Sequence, residues 1–310
     1  MLNFLVYNLL IYPLSKLPFW LLYLKSDFLF FVIYRIVGYR RKVVMDNLRN
    51  SFPEKNEAEL LRIEREFYKH FCDLILESIK AFSISEEEVS KRMIHKNTEL
   101  FDQLAKQNRS VAAVGGHYCN WEWFGITIAQ SIPHKALAFF TPLKSPFWND
   151  KMTKSRSRFG LHMYSIKELK QLNSVVESGL TATMFGSDQS PSNPRKAYWT
   201  KFLNQDTGTQ YGAEKHAIKF DTAVVFAEIT KLKRGFYQTE YKLLYESVEG
   251  LEYGAVIELF TKNLEDQIKK KPEYYLWTHR RWKHKRPTDE KFEEEQKALR
   301  EGRDQRLNPK

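Results

Sequence analysis

Apolar positions change their spacing along the chain in a regular order. Residues 1–34 are apolar almost throughout, broken by Pro13, Lys16, Pro18 and the Lys25-Ser26-Asp27 triplet. No uninterrupted piece reaches the roughly 20 residues that a spanning helix needs. From Glu57 to Phe82, Leu60, Leu61, Ile63, Phe67, Phe71, Leu74, Ile75 and Ile79 recur at three and four, which predicts a long amphipathic helix. Glu99–Gln107 predicts a shorter one. Beyond it, short apolar runs at Ser110–Val114, Ala136–Phe140, Thr181–Phe185 and Ala223–Glu228 read as strands. Helical spacing follows Glu122 and recurs at Phe147–Phe159, Lys167–Ser178 and Ala213–Phe220. A strand pair, Ile229–Lys233 with Gln238–Glu246, precedes an amphipathic helix at Ala255–Lys270. This alternation predicts one α/β domain with a mixed central sheet flanked by helices.

Three regions follow: a hydrophobic anchor at 1–36, an α/β domain at 37–287 and a charged tail at 288–310. The N-terminal segment lacks a basic leader and a small-residue cleavage site, so it reads as an uncleaved membrane anchor. It forms either one imperfect span or helices lying in the interface. Arg35, Arg40, Arg41 and Lys42 follow it and place the body on the cytoplasmic side. The alternative is a buried helical hairpin of a soluble protein. Beyond Pro287 nearly every residue is polar or charged, which predicts a frayed helix or disorder.

Composition narrows the partners. Among 310 residues, 49 are Lys or Arg and 38 Asp or Glu, a net charge of +11. That excess suits an anionic membrane, an acidic protein or nucleic acid. No nucleic-acid motif is present, and aromatics at 15% of the chain, many near the N-terminus, favour the membrane. Cys72 and Cys119 are the only thiols, which excludes a disulfide framework and points to a reducing compartment.

Candidate chemistry centres on residues 111–123. The run Val111–Val114 ends in Gly115-Gly116, and His117 follows, with Glu122 five positions later. A histidine on a glycine-freed turn at a strand end can face a cleft. Glu122 is placed to bond one ring nitrogen, fix the tautomer and make the other a better base. Cys119 is a neighbour in sequence and no evident nucleophile. The simplest chemistry is direct: His117 takes a proton from a hydroxyl that attacks a carbonyl. A structural histidine or half of a metal site are the competing readings.

His117 through Glu122 resembles the His-x4-Asp/Glu motif of the glycerolipid acyltransferase superfamily. Gly116-His117-x-x-Asn120-Trp121-Glu122 resembles, more narrowly, the late lipid A biosynthesis acyltransferases. The resemblance runs from about Tyr39 to Arg286. It includes the basic Arg40–Arg49 stretch before Phe52-Pro53, Arg156-x-Arg158-Phe159-Gly160, Asp188-Gln189, the aromatic Tyr198–Gln205 segment and Thr209-x-x-Gly212. Its most specific later string is Pro272-Glu273-x-Tyr275-x-Trp277-x-His279-Arg280-Arg281-Trp282-Lys283.

The resemblance implies a glycerol-phosphate acyltransferase-like fold and an O-acyltransferase. The donor is an acyl chain on acyl carrier protein or coenzyme A. The acceptor is a hydroxyl of a lipid A precursor or other anionic lipid, at the cytoplasmic face of a bacterial inner membrane. His117 is the general base and Glu122 its orienting partner. Arg156 or Arg158 stabilises an oxyanion or an acceptor phosphate, and Asp188 and Gln189 position substrate. Thr209 opens a helix beside the cleft, and Arg280 to Arg286 form a basic surface patch. No metal or organic cofactor is implied. A lysophospholipid or aminolipid acceptor, or a non-catalytic lipid-binding protein, are the alternatives.

Overall fold

In a computed structural model, which describes residues 1–307, a seven-stranded sheet runs through the body of the chain. Its strands are β1 (Met93–Lys96), β2 (Val111–Gly115), β3 (Lys135–Phe140), β4 (His162–Ser165), β5 (Thr181–Gly186), β8 (Ala223–Lys233) and β9 (Phe236–Tyr245). A separate antiparallel hairpin is made of β6 (Tyr198–Phe202) and β7 (Gln205–Thr209). The order in the large sheet is β1-β9-β8-β2-β5-β3-β4, and every pairing is parallel except β8 with β9. This is the mixed sheet flanked by helices that the spacing predicts.

Strand β2 lies at the centre because it is apolar on both faces and small. Val111, Ala112, Ala113 and Val114 are all buried. Ala112 and Val114 pack with Val224, Phe226 and Phe260 on one face, while Val111 and Ala113 pack with Ala136, Ala182 and Val225 on the other. Between β2 and β5 the register pairs Gly115 with Gly186, so both strands end on the same rung.

The N-terminal segment forms two helical arms, Leu2–Lys16 and Phe19–Val37, bent by 119° about Leu17-Pro18. Among the described residues no single helix is long and apolar enough to cross a membrane. The inner face of the second arm is stitched to the long Glu57–Lys80 helix: Ser26 donates to Asp73 at 2.8 Å, Tyr23 to Glu77 at 2.9 Å and Tyr34 to Glu64 at 3.2 Å. The outer face carries exposed Trp20, Leu24, Phe28 and Phe31. The segment therefore packs on the body through one face and leaves an apolar face open.

Two expectations are corrected. The charged segment after Pro287 takes the helical alternative, Glu290–Leu307, but docks instead of fraying free, because Phe292 is buried against Ala197 and Trp199 and Arg195 bonds Asp289 and Glu295. Positions 308–310 of that segment lie outside the described residues. Thr209 does not open a helix. It ends β7, and the helix Gly212–Phe220 starts behind Tyr211.

Candidate active site

His117 and Asp188 each stand two residues beyond the paired glycines Gly115 and Gly186. The parallel register therefore brings together two side chains 71 positions apart. His117 Nδ1 lies 2.6 Å from Asp188 Oδ1, and the His117 backbone N–H donates to Asp188 Oδ2 at 2.9 Å. A Cβ at Gly186 would sit 3.0 Å from His117 Cε1, so any side chain there would press on the ring. Gly116 is similarly constrained, because a Cβ would meet Leu264 Cδ1 at 2.6 Å.

The carboxylate on the imidazole is thus Asp188 and not Glu122, which corrects the expected pairing. Glu122 occupies the first turn of the helix Trp121–Thr127 and forms a two-pronged ion pair with Arg156, accepting from Nε at 2.9 Å and from Nη2 at 2.6 Å. Arg156 closes the helix Pro146–Arg156. Arg158 turns elsewhere, donating to the Ala81 carbonyl at 2.8 Å and lying over Phe159. Gln189 follows Asp188, and its amide nitrogen lies 3.0 Å from His117 Nε2. The structure thus gathers five of the six candidates, His117, Glu122, Arg156, Asp188 and Gln189, and separates Arg158.

The electrostatics suit a base. Asp188 is 3% exposed, whereas the His117 side chain is 22% exposed, so the carboxylate is sealed and the ring is reachable. Burial alone would lower the His117 pKa, but the charge and hydrogen bond of Asp188, with a smaller contribution from Glu122, raise it above the ordinary 6.5. Burial opposes ionisation of Asp188, yet His117, through its charge and bonds, and then Arg281 hold it below the usual range. An ionised Asp188 accepts from Nδ1–H, which leaves the Nε2 lone pair to receive the Gln189 N–H or a substrate proton. Trp121 meets the imidazole edge-on at 5.1 Å between centroids.

Beside this pair opens a cavity of about 210 Å³. His117, Glu122 and Arg156 are at its polar part, and Ala113, Ala138, Leu161, Met163, Met184 and Ala227 line an apolar part over the sheet. Small residues on neighbouring strands leave the space that larger ones would fill. Among the described residues, no group of three or more metal-ligating side chains forms.

Sequence reasoning missed further residues that hold the site. His279 accepts from the Ser190 N–H at 3.0 Å, just after Gln189, and burial pushes its pKa down to about 4. Arg281, expected on a basic surface, is 3% exposed and donates to the Gly208 carbonyl at 2.7 Å and the Thr209 hydroxyl at 3.0 Å. Leu276 N–H donates to the His117 carbonyl at 3.2 Å, so the Pro272–Lys283 string clamps the histidine turn. Strings of this kind look like surface patches until the chain is folded.

The site is thus an imidazole–carboxylate pair at the ends of two parallel strands of an α/β sheet, beside a cavity with a polar and an apolar part. The chain belongs to the bacterial lipid A biosynthesis acyltransferase family, whose profile matches residues 2–284. It is similar to the lipid A biosynthesis palmitoleoyltransferase of Escherichia coli (strain K12), with 22% identity over 246 residues, 79% of each chain. It is equally similar to the lipid A biosynthesis acyltransferase of Shigella flexneri, again 22% identical over 79% of each chain. The protein is therefore an acyltransferase.

Proposed function

We propose that the enzyme moves a fatty acyl chain from acyl carrier protein, or from coenzyme A, to a hydroxyl of a lipid A precursor at the cytoplasmic face of a bacterial inner membrane. The observation that carries this reading is the His117–Asp188 pair at 2.6 Å beside an apolar cavity, in a chain of this family. The net charge of +11 suits an acidic carrier and an anionic lipid surface.

In this reading the acceptor hydroxyl displaces the Gln189 amide from His117 Nε2. Its oxygen attacks the thioester carbonyl while its proton passes to Nε2. Asp188 keeps the proton on Nδ1 and stabilises the imidazolium. The C–S bond of the tetrahedral intermediate breaks, and His117 returns the proton to the leaving sulfur. Glu122 holds the Arg156 guanidinium at the cavity, where it meets the oxyanion or an acceptor phosphate. The acyl chain lies along Ala113, Ala138 and Met184.

The test is His117→Ala with folding checked by circular dichroism. Transfer from acyl carrier thioester to lipid A precursor is expected to fall by about 10³-fold or more. Near-normal turnover would end the proposal. Mass spectrometry of lipids from a deletion strain identifies the acceptor: loss of one acyl chain from lipid A supports this reading, and a change confined to phospholipids or aminolipids replaces the acceptor.

A further inference from the structure

Glu77, on the Glu57–Lys80 helix, is fully buried and takes no part in the chemistry just described. Its Oε1 accepts from the Tyr23 hydroxyl at 2.9 Å, and its Oε2 accepts from Asn120 Nδ2 at 2.7 Å and from the Tyr237 hydroxyl at 2.7 Å. Its backbone carbonyl accepts from Trp123 Nε1 at 3.1 Å. Two of these donors, Asn120 and Trp123, lie on the segment that joins His117 to Glu122 and its helix.

That segment needs outside support. Cys119 is held at φ +51°, in the left-handed region that a side chain disfavours. Asn120 does two jobs at once. Its Oδ1 caps the Trp121–Thr127 helix by accepting from Trp123 N–H at 2.9 Å, while its Nδ2 is spent on Glu77. The orientation of Asn120, and with it the cap of the helix carrying Glu122, is therefore set by Glu77. Tyr23, the donor on the other oxygen, belongs to the N-terminal arm whose opposite face exposes Trp20, Leu24 and Phe28.

We propose that Glu77 is a positioning residue that fixes the His117–Glu122 segment and couples it to the N-terminal arm, so that seating of that arm on a lipid surface sets the reactive geometry. This rests on the acyl-transfer reading for its kinetic consequences, though not for its structural ones. The role is that of an acceptor rather than of a charge. Burial first, and then Asp73, push the carboxyl up to about 7, against Lys231 and the Tyr237 and Tyr23 hydroxyls, so the neutral form is populated near neutral pH. Glutamine can keep an oxygen toward Asn120 and Tyr237 and turn its amide to the Tyr23 oxygen.

The test compares Glu77→Met, Glu77→Gln and Tyr23→Phe in the full chain. The first readout needs no activity. In a Cys72→Ala background the sole remaining thiol, Cys119, is fully buried within the supported turn. N-ethylmaleimide labelling of Cys119 is expected to accelerate about tenfold in Glu77→Met and severalfold in Tyr23→Phe, and to stay near wild type in Glu77→Gln. The second readout is kinetic. With enzyme bound to phospholipid vesicles, kcat is expected to fall about tenfold in Glu77→Met and about threefold in Tyr23→Phe, with KM values within about twofold, and Glu77→Gln restores it. Unchanged Cys119 labelling in both Glu77→Met and Tyr23→Phe overturns the proposal. So does an equal loss in Glu77→Gln and Glu77→Met, which would mean that the charge is what matters. If Glu77→Met does not fold, Tyr23→Phe decides alone, since it deletes one hydroxyl. Altered labelling in an enzyme whose wild type transfers no acyl chain would count against the proposed function and leave the coupling standing.

Discussion

Asp188 bonds His117 while Glu122 bonds Arg156, and the difference is chemical. Asp188 receives the Nδ1 proton and the backbone N–H of the same residue, so it fixes both the ring and its attachment. Glu122 receives the two guanidinium donors of Arg156, a geometry matched to a carboxylate and poor for an imidazole. The two residues should therefore fail differently. Because His117 is titrated above 6.5 through Asp188 and acts as a neutral base, kcat/KM should fall as pH drops through that raised value. Asp188→Asn removes the charge that holds the proton, leaving burial to govern the ring. The acid limb should then move to lower pH, while the plateau falls by about 10³–10⁴-fold through loss of the correct tautomer. Glu122→Gln keeps the His117–Asp188 bond and breaks a charged pair with Arg156. Its plateau should fall while the acid limb shifts far less than in Asp188→Asn. Measured pH profiles of kcat/KM decide, and an equal displacement of the limb in both variants would return Glu122 to the imidazole.

At the level of elements, the site exists because β2 and β5 are parallel neighbours that end together. The run Val111–Gly115 announced its strand through apolar, small and β-branched residues, and the turn after it was legible from its glycines. Thr181–Gly186 was legible for the same reason. Their adjacency was not, since pairing Gly115 with Gly186 depends on β3 lying outside β5, a fact of topology that leaves no local mark on the chain. Proximity along the sequence therefore favoured Glu122, five residues from His117, over Asp188, 71 residues away. The edge strands β1 and β4, four residues each, lacked a period long enough to read. The docking of the Glu290–Leu307 helix was hidden because one phenylalanine and one arginine, Arg195, rather than an apolar stripe, hold it. The same sheet geometry fixes the cavity. Ala138 on β3 and Ala113 on β2 lie at its apolar lining, and their methyl side chains set its width. Ala138→Leu adds three carbons to that wall with little polar disturbance. Preference in an acyl-carrier series is expected to shift toward shorter chains, by about tenfold in the ratio of kcat/KM values, given roughly 1–3 kcal/mol for each methylene gained or excluded. Unchanged chain-length preference would place the acyl chain elsewhere.

At the scale of the whole molecule, the N-terminal arm has two faces with different partners. Leu22 is buried, while Tyr23, Ser26 and Tyr34 are hydrogen-bonded to the body. Trp20, Leu24, Phe28 and Phe31 stand at 66%, 57%, 69% and 52% exposure, spaced by four, four and three so that they form one stripe. The first arm likewise exposes Leu2, Leu5 and Leu9, and leaving such apolar faces in water is costly. Full burial of a phenylalanine or leucine side chain contributes about 1.5–3 kcal/mol, and 1.4 kcal/mol is a factor of about ten. The two arms meet at a bend of 119°. Phe28→Ser alone is expected to weaken partitioning into vesicles about tenfold, and Trp20→Ser with Phe28→Ser and Phe31→Ser together by about 10³-fold, measured by flotation with anionic liposomes. The inner-face bonds are untouched by these changes, so thermal unfolding in detergent should stay close to that of the parent. Because the protein carries a net charge of +11, the residual binding of the triple variant should fall steeply with salt, whereas binding of the parent, held by apolar contact as well, should fall less. A triple variant that floats as the parent does would show that this stripe does not meet the membrane, and would leave the apolar face to a partner protein.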